Sequence, residues 1–397
     1  MAALPQAWRN IRKSNWVACC IPPRKQLTTN ILNHISSCIL SRRNTRPTIT
    51  MQSKISVLGL AVQASLAISI PRPCTCPSIS GNKTIDAYQL YPENVDFDTR
   101  RCLLYSSVLY NATAVAWDPY RGEIVHTFEA PGLSGNPLLH SSGVRVDTLD
   151  RLSVVIDAGA AFDTGGQNIQ GDNLLVKFDL VDNSLLWRAN LTNATGGVYG
   201  GFQDSESDDA GNTFVLGTFP SSLIKVSADG KSVVPWYLVE PAYHTIHGFS
   251  GIARKGDTLF VTDNSDGQLY RFDIKASKGK PVRVPTSKDD KPLGQSLDGL
   301  HLPSLYAGTV LLVSDNTNGT VVLRSSNGKW KSAENLGTIP NPYLSQGGFT
   351  VASVQISDSI YTVTEFFGDA INGTLPGNRT SFPLRDITEE VETLLRA

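Results

Sequence analysis

The sequence predicts an all-β fold, a six-bladed β-propeller of four-stranded blades with a short C-terminal helix, and three observations carry that reading. Only 18% of the 397 residues are charged while 33 are Gly, which disfavours helical bundles, coiled coils and disordered chains, all rich in charged or helix-forming residues. A strand-start pattern recurs at Val95, Val144, Phe202, Ile252, Leu300 and Val351, with spacings of 49, 58, 50, 48 and 51 residues. Turn signals at Asp209-Ala210-Gly211-Asn212, Asp229-Gly230, Asp266-Gly267 and Asn327-Gly328 supply the positive φ that tight hairpins need. Four-stranded units of this length bury their faces only against one another, and a closed ring leaves no terminal unit unpaired. A β-sandwich or a pair of smaller barrels would not explain the even spacing.

Taken in order, Thr84–Leu90 precedes the first full unit and is expected to supply the outer strand of the last blade, closing the ring. The units begin at Glu93–Val95, Gly143–Asp147, Gly201–Asp204, Gly251–Ala253, Asp298–Leu300 and Phe349–Ala352. Second strands are expected at Cys102–Ser106, Leu152–Asp157, Thr213–Gly217, Thr258–Asp263, Val310–Asp315 and Ser359–Val363, and third strands at Leu174–Asp179, Leu223–Val226 and Gln268–Asp273. The tail Asp386–Arg396 places Ile387, Val391, Leu394 and Leu395 at helical spacing and reads as a surface helix. Trp117, Trp187, Trp236, Phe366 and Phe367 read as blade packing. Gly196–Gly201 reads as a loop at the channel entrance. No nucleophile elbow, phosphate-cradling loop or dinucleotide fingerprint occurs.

The charge is unevenly placed. No Asp or Glu precedes Asp86, whereas nine basic residues, Arg9 to Lys54, fall before residue 70, so the chain beyond carries -10 against an overall -1. An acidic folded part without a basic, aromatic-interleaved stripe argues against nucleic acid as a partner. From Met51 the chain reads MQSKISVLGLAVQASLAISIPRP, with basic Lys54, an apolar run Ile55–Ala67 and small residues Ser65, Ala67 and Ser69. This is the pattern of a signal peptide, too short to span a membrane. Residues 1–50 are then a basic extension absent from the mature protein, 51–69 the signal, and 70–397 one propeller domain, monomeric and secreted or in the secretory lumen. The competing reading is a mitochondrial transit peptide over residues 1–70. Asn-x-Thr sequons at Asn82, Asn111, Asn190, Asn193, Asn318, Asn372 and Asn378 favour the secretory route. In that compartment one disulfide is expected, from Cys74 or Cys76 to Cys102, with Cys76–Cys102 the pairing carried forward; three unpaired small hydrophobes are the alternative. Cys-x-Cys followed 26 residues later by a lone Cys is a poor zinc pattern.

The pieces Pro92-Glu93-Asn94, Asp209–Asn212, Gly256–Asp263, Gln268–Arg271, and Asp298-Gly299-Leu300 with Ser314-Asp315-Asn316 resemble the senescence-marker-protein, gluconolactonase and paraoxonase superfamily of six-bladed propellers, over about residues 84–370. More narrowly, the chain looks like the fungal core trichothecene-cluster propeller family, which accompanies sesquiterpenoid mycotoxin pathways and for which a ring-closing role is implied. The superfamily implies a central calcium site built from oxygen ligands of several blades. Glu93 matches its first-blade carboxylate, and Asp298 matches the Asp-Gly-Leu/Ile carboxylate that doubles as a base in lactonase-like relatives. With Gln203 and Asp204 these are the candidate metal ligands. Two departures weaken the match: Ser250 stands where relatives have Asn, and Gln203-Asp204 replaces Asn-Asp. The cofactor expectation is therefore none, or Ca2+.

His140, His244, His247 and His301 are placed before or at innermost strands, beside Ser250 and Asp298. An imidazole near a carboxylate at a channel mouth moves protons at mild pH, which ring opening or closure by a hydroxyl requires. The alternative for each is a polar residue lining a wet channel. His244-x-x-His247 lacks the helical Glu motif of zinc sites. The resulting expectation is an enzyme of secondary metabolism that cyclises or isomerises a small apolar metabolite, with Asp298, His247 and Glu93 catalytic and His140, His244, Ser250 and His301 binding substrate. A calcium-dependent lactonase or esterase and a non-catalytic small-molecule-binding propeller are the rivals, and fold alone does not choose between them.

Overall fold

The computed structural model describes residues 75–286, 291–370 and 376–397. They form six four-stranded antiparallel sheets. The innermost strands are Val95–Asp98, Leu139–Val146, Gly200–Ser207, Phe249–Lys255, Leu297–His301 and Phe349–Ile356. Each contacts the next around the ring, and the sixth contacts the first. Blades one to five are consecutive meanders. The sixth is completed by the N-terminal strand Lys83–Asp86, which pairs with Ser381–Asp386 so that Lys83 lies opposite Leu384 and Asp86 opposite Ser381. This is the ring closure expected of Thr84–Leu90, begun one residue earlier and ended at Asp86.

Each blade buries both faces against its neighbours, so middle strands read as unbroken buried runs and not as alternating ones. Thr213–Phe219 is buried at every residue, whereas the outer strand Glu123–Phe128 is mostly exposed. Six apolar clusters fill the gaps between blades. Phe214, Leu216 and Trp236 of the third blade meet Phe249, Ile252 and Leu259 of the fourth, and the other interfaces repeat the pattern. Trp117 and Phe366 pack in the cluster between the first and sixth blades. The C-terminal helix Thr388–Arg396 seats Val391, with Ile387 just before it, against Val310, Leu312 and Ile360 of the fifth and sixth blades.

Cys76 and Cys102 are bonded, with Cα atoms 5.5 Å apart, which ties the segment before the closing strand to the first hairpin of blade one. Cys74, the signal-like segment, the basic extension and Asn372 lie outside the described residues. No described helix is long and apolar enough to cross a membrane.

Five innermost strands are interrupted by register shifts, between Ser141 and Val144, Phe202 and Asp204, Phe249 and Ile252, Leu297 and Leu300, and Thr350 and Ala352. A bulge re-aims the side chain it carries, and Ser142, Gln203, Ser250 and Asp298 sit at four of them. Three are followed by Gly for a packing reason. A Cβ on Gly143 would lie 2.7 Å from the Gln203 carbonyl oxygen, one on Gly299 2.7 Å from that of Val351, and one on Gly251 would meet the Asp298 carbonyl. The bulged strands approach so closely that no side chain fits between them.

Candidate active site at the channel mouth

The bulges converge on a cavity of about 340 Å3, within the range of small-molecule sites. Its polar floor is Glu93, His140, Ser142, Gln203, Ser250, Asp298 and Asn316; its apolar wall is Leu109, Tyr110, Phe162, Leu297, Phe367 and Ala370, with Asp163 and His247 beside it. Glu93, His140, Gln203, Ser250 and Asp298 all come from the first residues of inner strands or just before them, so this is the end of the channel at which those strands begin.

Contacts mostly within each blade, with a few across to the next, hold these side chains in place. Asn316 Nδ2 donates to Asp298 Oδ2 at 2.6 Å, and Gln203 Nε2 donates to Thr218 Oγ1 at 2.8 Å. Asn264 Nδ2 donates to Ser250 Oγ and, at 2.9 Å, to the Leu297 carbonyl, while its Oδ1 accepts the Leu297 N–H at 2.7 Å. Ser142 Oγ donates to Asp157 Oδ1 at 2.6 Å. His140 meets Tyr110 edge to face at 5.3 Å, and its ring lies over Gly159, where a Cβ would be 2.5 Å from Cε1. His247 stacks on Phe219 at 5.3 Å.

Burial dominates the electrostatics. It pushes Glu93 well above the usual carboxylate range, helped by Asp298, Asp204, Asp157 and Glu365. Asp298 is pushed up to about 7 by burial, against the opposing hydrogen bond from Asn316. Burial also lifts Asp157 to about 7 and lowers His140 to about 4. His247 is exposed at the rim, yet loss of hydration among its neighbours still lowers it. Both cavity imidazoles are therefore held neutral near pH 7. Glu93 Oε2, His140 Nε2 and Asp157 Oδ2 are buried with no hydrogen-bond partner.

Three expectations need correction. His301 ends the strand Leu297–His301 and lies outside the cavity: three residues beyond Asp298, about 10 Å farther along an extended strand, its Nε2 accepts the Gln355 N–H at 3.0 Å. His244 does not line the cavity either, because its Nδ1 is 2.5 Å from the Gly166 carbonyl oxygen in a contact between two rim loops. Asp204 falls on the other side of the bulge from Gln203, and its carboxylate accepts the backbone N–H groups of Ser205 and Ile252 at 2.7 and 3.4 Å. Phe367 packs against the cluster between the first and sixth blades, as read, and is also part of the cavity wall.

Sequence reasoning missed Tyr110, Ser142, Asp157, Phe162 and Asp163. The available signal was the 58-residue second unit. Its excess is the Gly159–Asn173 connection, whose short helix Ala160–Asp163 brings Phe162 and Asp163 to the mouth.

The oxygens present fit a hard cation in chemistry: two carboxylates, Glu93 with an unpartnered buried oxygen, an amide and a hydroxyl. Glu93, Gln203, Ser250 and Asp298 would hold it, and Asp204 would not. Among the described residues no three His, Cys, Asp or Glu side chains are grouped to hold a metal, so the neutral oxygens would have to complete the set.

The solved structure of the major Malassezia sympodialis allergen Mala s 1 superposes with a TM-score of 0.66 at 22% identity, covering 78% of this chain and 96% of that one; at that identity the likeness shows the fold. Core trichothecene cluster protein 14 of Fusarium sporotrichioides is 36% identical over 81% of this chain and 88% of its own length. Trichothecene biosynthesis protein 14 of Trichoderma arundinaceum is 35% identical over 82% and 92%. Residues 78–334 match the family described as Mal s 1 allergenic protein-like, and the chain belongs to that family.

Proposed function

We propose that this propeller acts in fungal secondary metabolism, cyclising or isomerising a small, largely apolar, hydroxylated metabolite at the channel mouth by acid and base catalysis. The observation that carries the reading is the pairing of an apolar wall with a floor on which burial raises both carboxylates, Asp298 to about 7, and whose Glu93 Oε2 and His140 Nε2 lack partners. The names of the two trichothecene-cluster relatives support the pathway class.

Ring closure by a hydroxyl requires a base to take the hydroxyl proton and an acid to protonate the oxygen whose bond to carbon breaks. Asp298, raised to about 7, is half protonated near neutral pH and serves in either direction. His247, neutral and exposed at the rim, accepts a proton and exchanges it with solvent. Glu93 orients a hydroxyl through its free oxygen. The wall excludes water, so that the ring-closing hydroxyl is not outcompeted. The test is incubation with hydroxylated sesquiterpenoid precursors of the trichothecene type, followed by mass spectrometry and NMR. Asp298→Asn and His247→Ala should each lower turnover by about 100-fold or more; unchanged turnover in both would end this reading.

A second reading, calcium-dependent lactone or ester hydrolysis, is favoured by the unpartnered Glu93 oxygen among acids that repel one another. A bound cation would supply Lewis-acid polarisation of a carbonyl. Calcium calorimetry separates the two: tight binding lost in Glu93→Gln and in Asp298→Asn supports hydrolysis, and no binding removes it. We further propose passage through the secretory pathway. Supporting this, Asn82, Asn111, Asn193, Asn318 and Asn378 are exposed and Asn190 is half-buried, and Cys76 is bonded to Cys102. Glycan mapping of the protein from its own host tests it.

A further inference from the structure

Resting on the reading above only in taking the mouth cavity as the ligand site, we propose that this cavity binds organic monocations, an apolar body carrying one quaternary or protonated ammonium group. Three acids line it, Glu93, Asp298 and Asp163, and no Lys or Arg does. The guanidiniums of Arg145, on an inner strand, and of Arg379 are committed elsewhere. Arg145 reaches Asp96 and Glu206 at 3.5 Å each, and Arg379 pairs with Asp369 at 2.6 Å while lying over the Phe366 ring. The strongest influences on Glu93 after burial are four other acids and no cation. Its side chain belongs to a residue only 8% exposed, and Oε2 has no partner.

A buried carboxylate without a counter-charge is costly, and a ligand that supplies the charge recovers that cost on binding. The wall decides which kind of cation fits. Leu109, Tyr110, Phe162 and Phe367 cover one side of the cavity with hydrocarbon and aromatic rings. A hydrated inorganic ion leaves that surface facing water, whereas an alkylammonium buries its methyl or methylene groups there while its charge faces the floor. Aromatic walls add their own attraction for quaternary ammonium groups. The two imidazoles do not compete, since the same burial keeps them uncharged.

The deciding experiment is calorimetry on the full chain at pH 8 and moderate salt, with choline, its neutral isostere 3,3-dimethylbutan-1-ol, and benzyltrimethylammonium. Choline should bind at least ten-fold more tightly than the isostere, and benzyltrimethylammonium more tightly still. Glu93→Gln and Asp298→Asn should each bring the choline-to-isostere ratio to within about three-fold of one, with Asp163→Asn, at the exposed rim, as the milder third variant. Equal affinities for choline and the isostere on the unaltered chain overturn the proposal, and that comparison needs no variant to fold. A charge preference that survives in both floor variants also overturns it. Binding of calcium with no binding of any ammonium overturns it in favour of an inorganic ion. Turnover of neutral precursors together with equal affinities for the pair leaves the proposed function standing and this inference refuted.

Discussion

Replacing Asp157 by Asn removes one ionisable group from the site without removing its hydrogen-bond acceptor, and the expected consequence is a change in the pH dependence of stability. Asp157 is 0% exposed, its Oδ1 accepts the Ser142 hydroxyl at 2.6 Å and its Oδ2 has no partner. Burial raises it from 3.8 to about 7 in the folded protein, against the opposing Ser142 hydrogen bond. Between those values the native state holds a proton that the unfolded chain has released, so stability falls as pH rises through the window. The penalty is absent below about pH 4 and complete above about pH 7. One such proton is worth about 1.4 kcal/mol per pH unit, so between pH 5 and 6.5 Asp157 alone removes about 2 kcal/mol. Asp204 and Asp298, also lifted to about 7 by burial, act in the same direction. Urea unfolding followed by tryptophan fluorescence at the two pH values should show Asp157→Asn losing about 2 kcal/mol less than the unaltered protein. At pH 5, where the native carboxyl is itself protonated, the isosteric amide should leave stability within about 1 kcal/mol of the unaltered protein, because the carboxyl O–H and the amide N–H2 stand alike without an acceptor. An identical loss between pH 5 and 6.5 in both proteins would refute the assignment of a bound proton to Asp157.

Gly299→Ala should destabilise by about 1–3 kcal/mol, since the new Cβ would lie 2.7 Å from the Val351 carbonyl oxygen of the next blade; thermal unfolding reads it. Gly159→Ala, at φ −53, carries no backbone strain but drives a Cβ to 2.5 Å from His140 Cε1, so ligand affinity at the mouth should fall ten-fold or more while the melting temperature moves little. Lys177→Met should cost about 3 kcal/mol, because the fully buried ammonium bonds Asp147, Ser153 and Thr213 at 3.2, 2.5 and 3.1 Å; urea melts measure it. Cys102→Ser opens a cross-link of 26-residue separation and should lower stability by about 3–4 kcal/mol, with the unaltered protein under reductant showing the same loss.

The architecture was readable because every blade repeats one packing problem. An inner strand must pass within contact distance of its two neighbours, which selects Gly at positions 143, 251 and 299 and sets their spacing. The residue beside each such Gly is turned into the channel, which is where Ser250 and Asp298 stand; these two and Glu93 are named through the resemblance to calcium-binding propellers, and His140 from its place before an inner strand. Ser142, beside Gly143, obeys the same rule and lines the cavity, its only sequence signal being that Gly. His301 and Asp204 went astray for a simple geometric reason. Three residues along a strand is about 10 Å, and one residue across a bulge reverses the direction of the side chain, so nearness in sequence to Asp298 or Gln203 did not carry them into the cavity. The wall was not readable, because Tyr110, Phe162 and Phe367 arrive on irregular turns, Leu109–Asn111, Ala160–Asp163 and Phe367–Asp369, whose paths no periodicity describes.

The two ends of the channel solve the burial of charge in opposite ways, and the difference argues that only one of them awaits a ligand. Farther along the inner strands, Arg145 sits between Asp96 and Glu206, Asp204 is bonded to two backbone N–H groups, and His301 accepts the Gln355 N–H. Every charged or imidazole group there has its partner within the chain. At the mouth the acid and imidazole atoms left without one are Glu93 Oε2, His140 Nε2, Asp157 Oδ2 and Glu365 Oε1, the last on the strand Ser359–Glu365 that ends at the same side. Buried polar groups in folded proteins are otherwise nearly always satisfied. Leaving four unsatisfied within one region, beside an apolar wall, costs stability that packing elsewhere must offset, and it is recovered when a ligand brings the missing protons or positive charge. A propeller needing only a filled channel would have repeated the Arg145 arrangement at both ends.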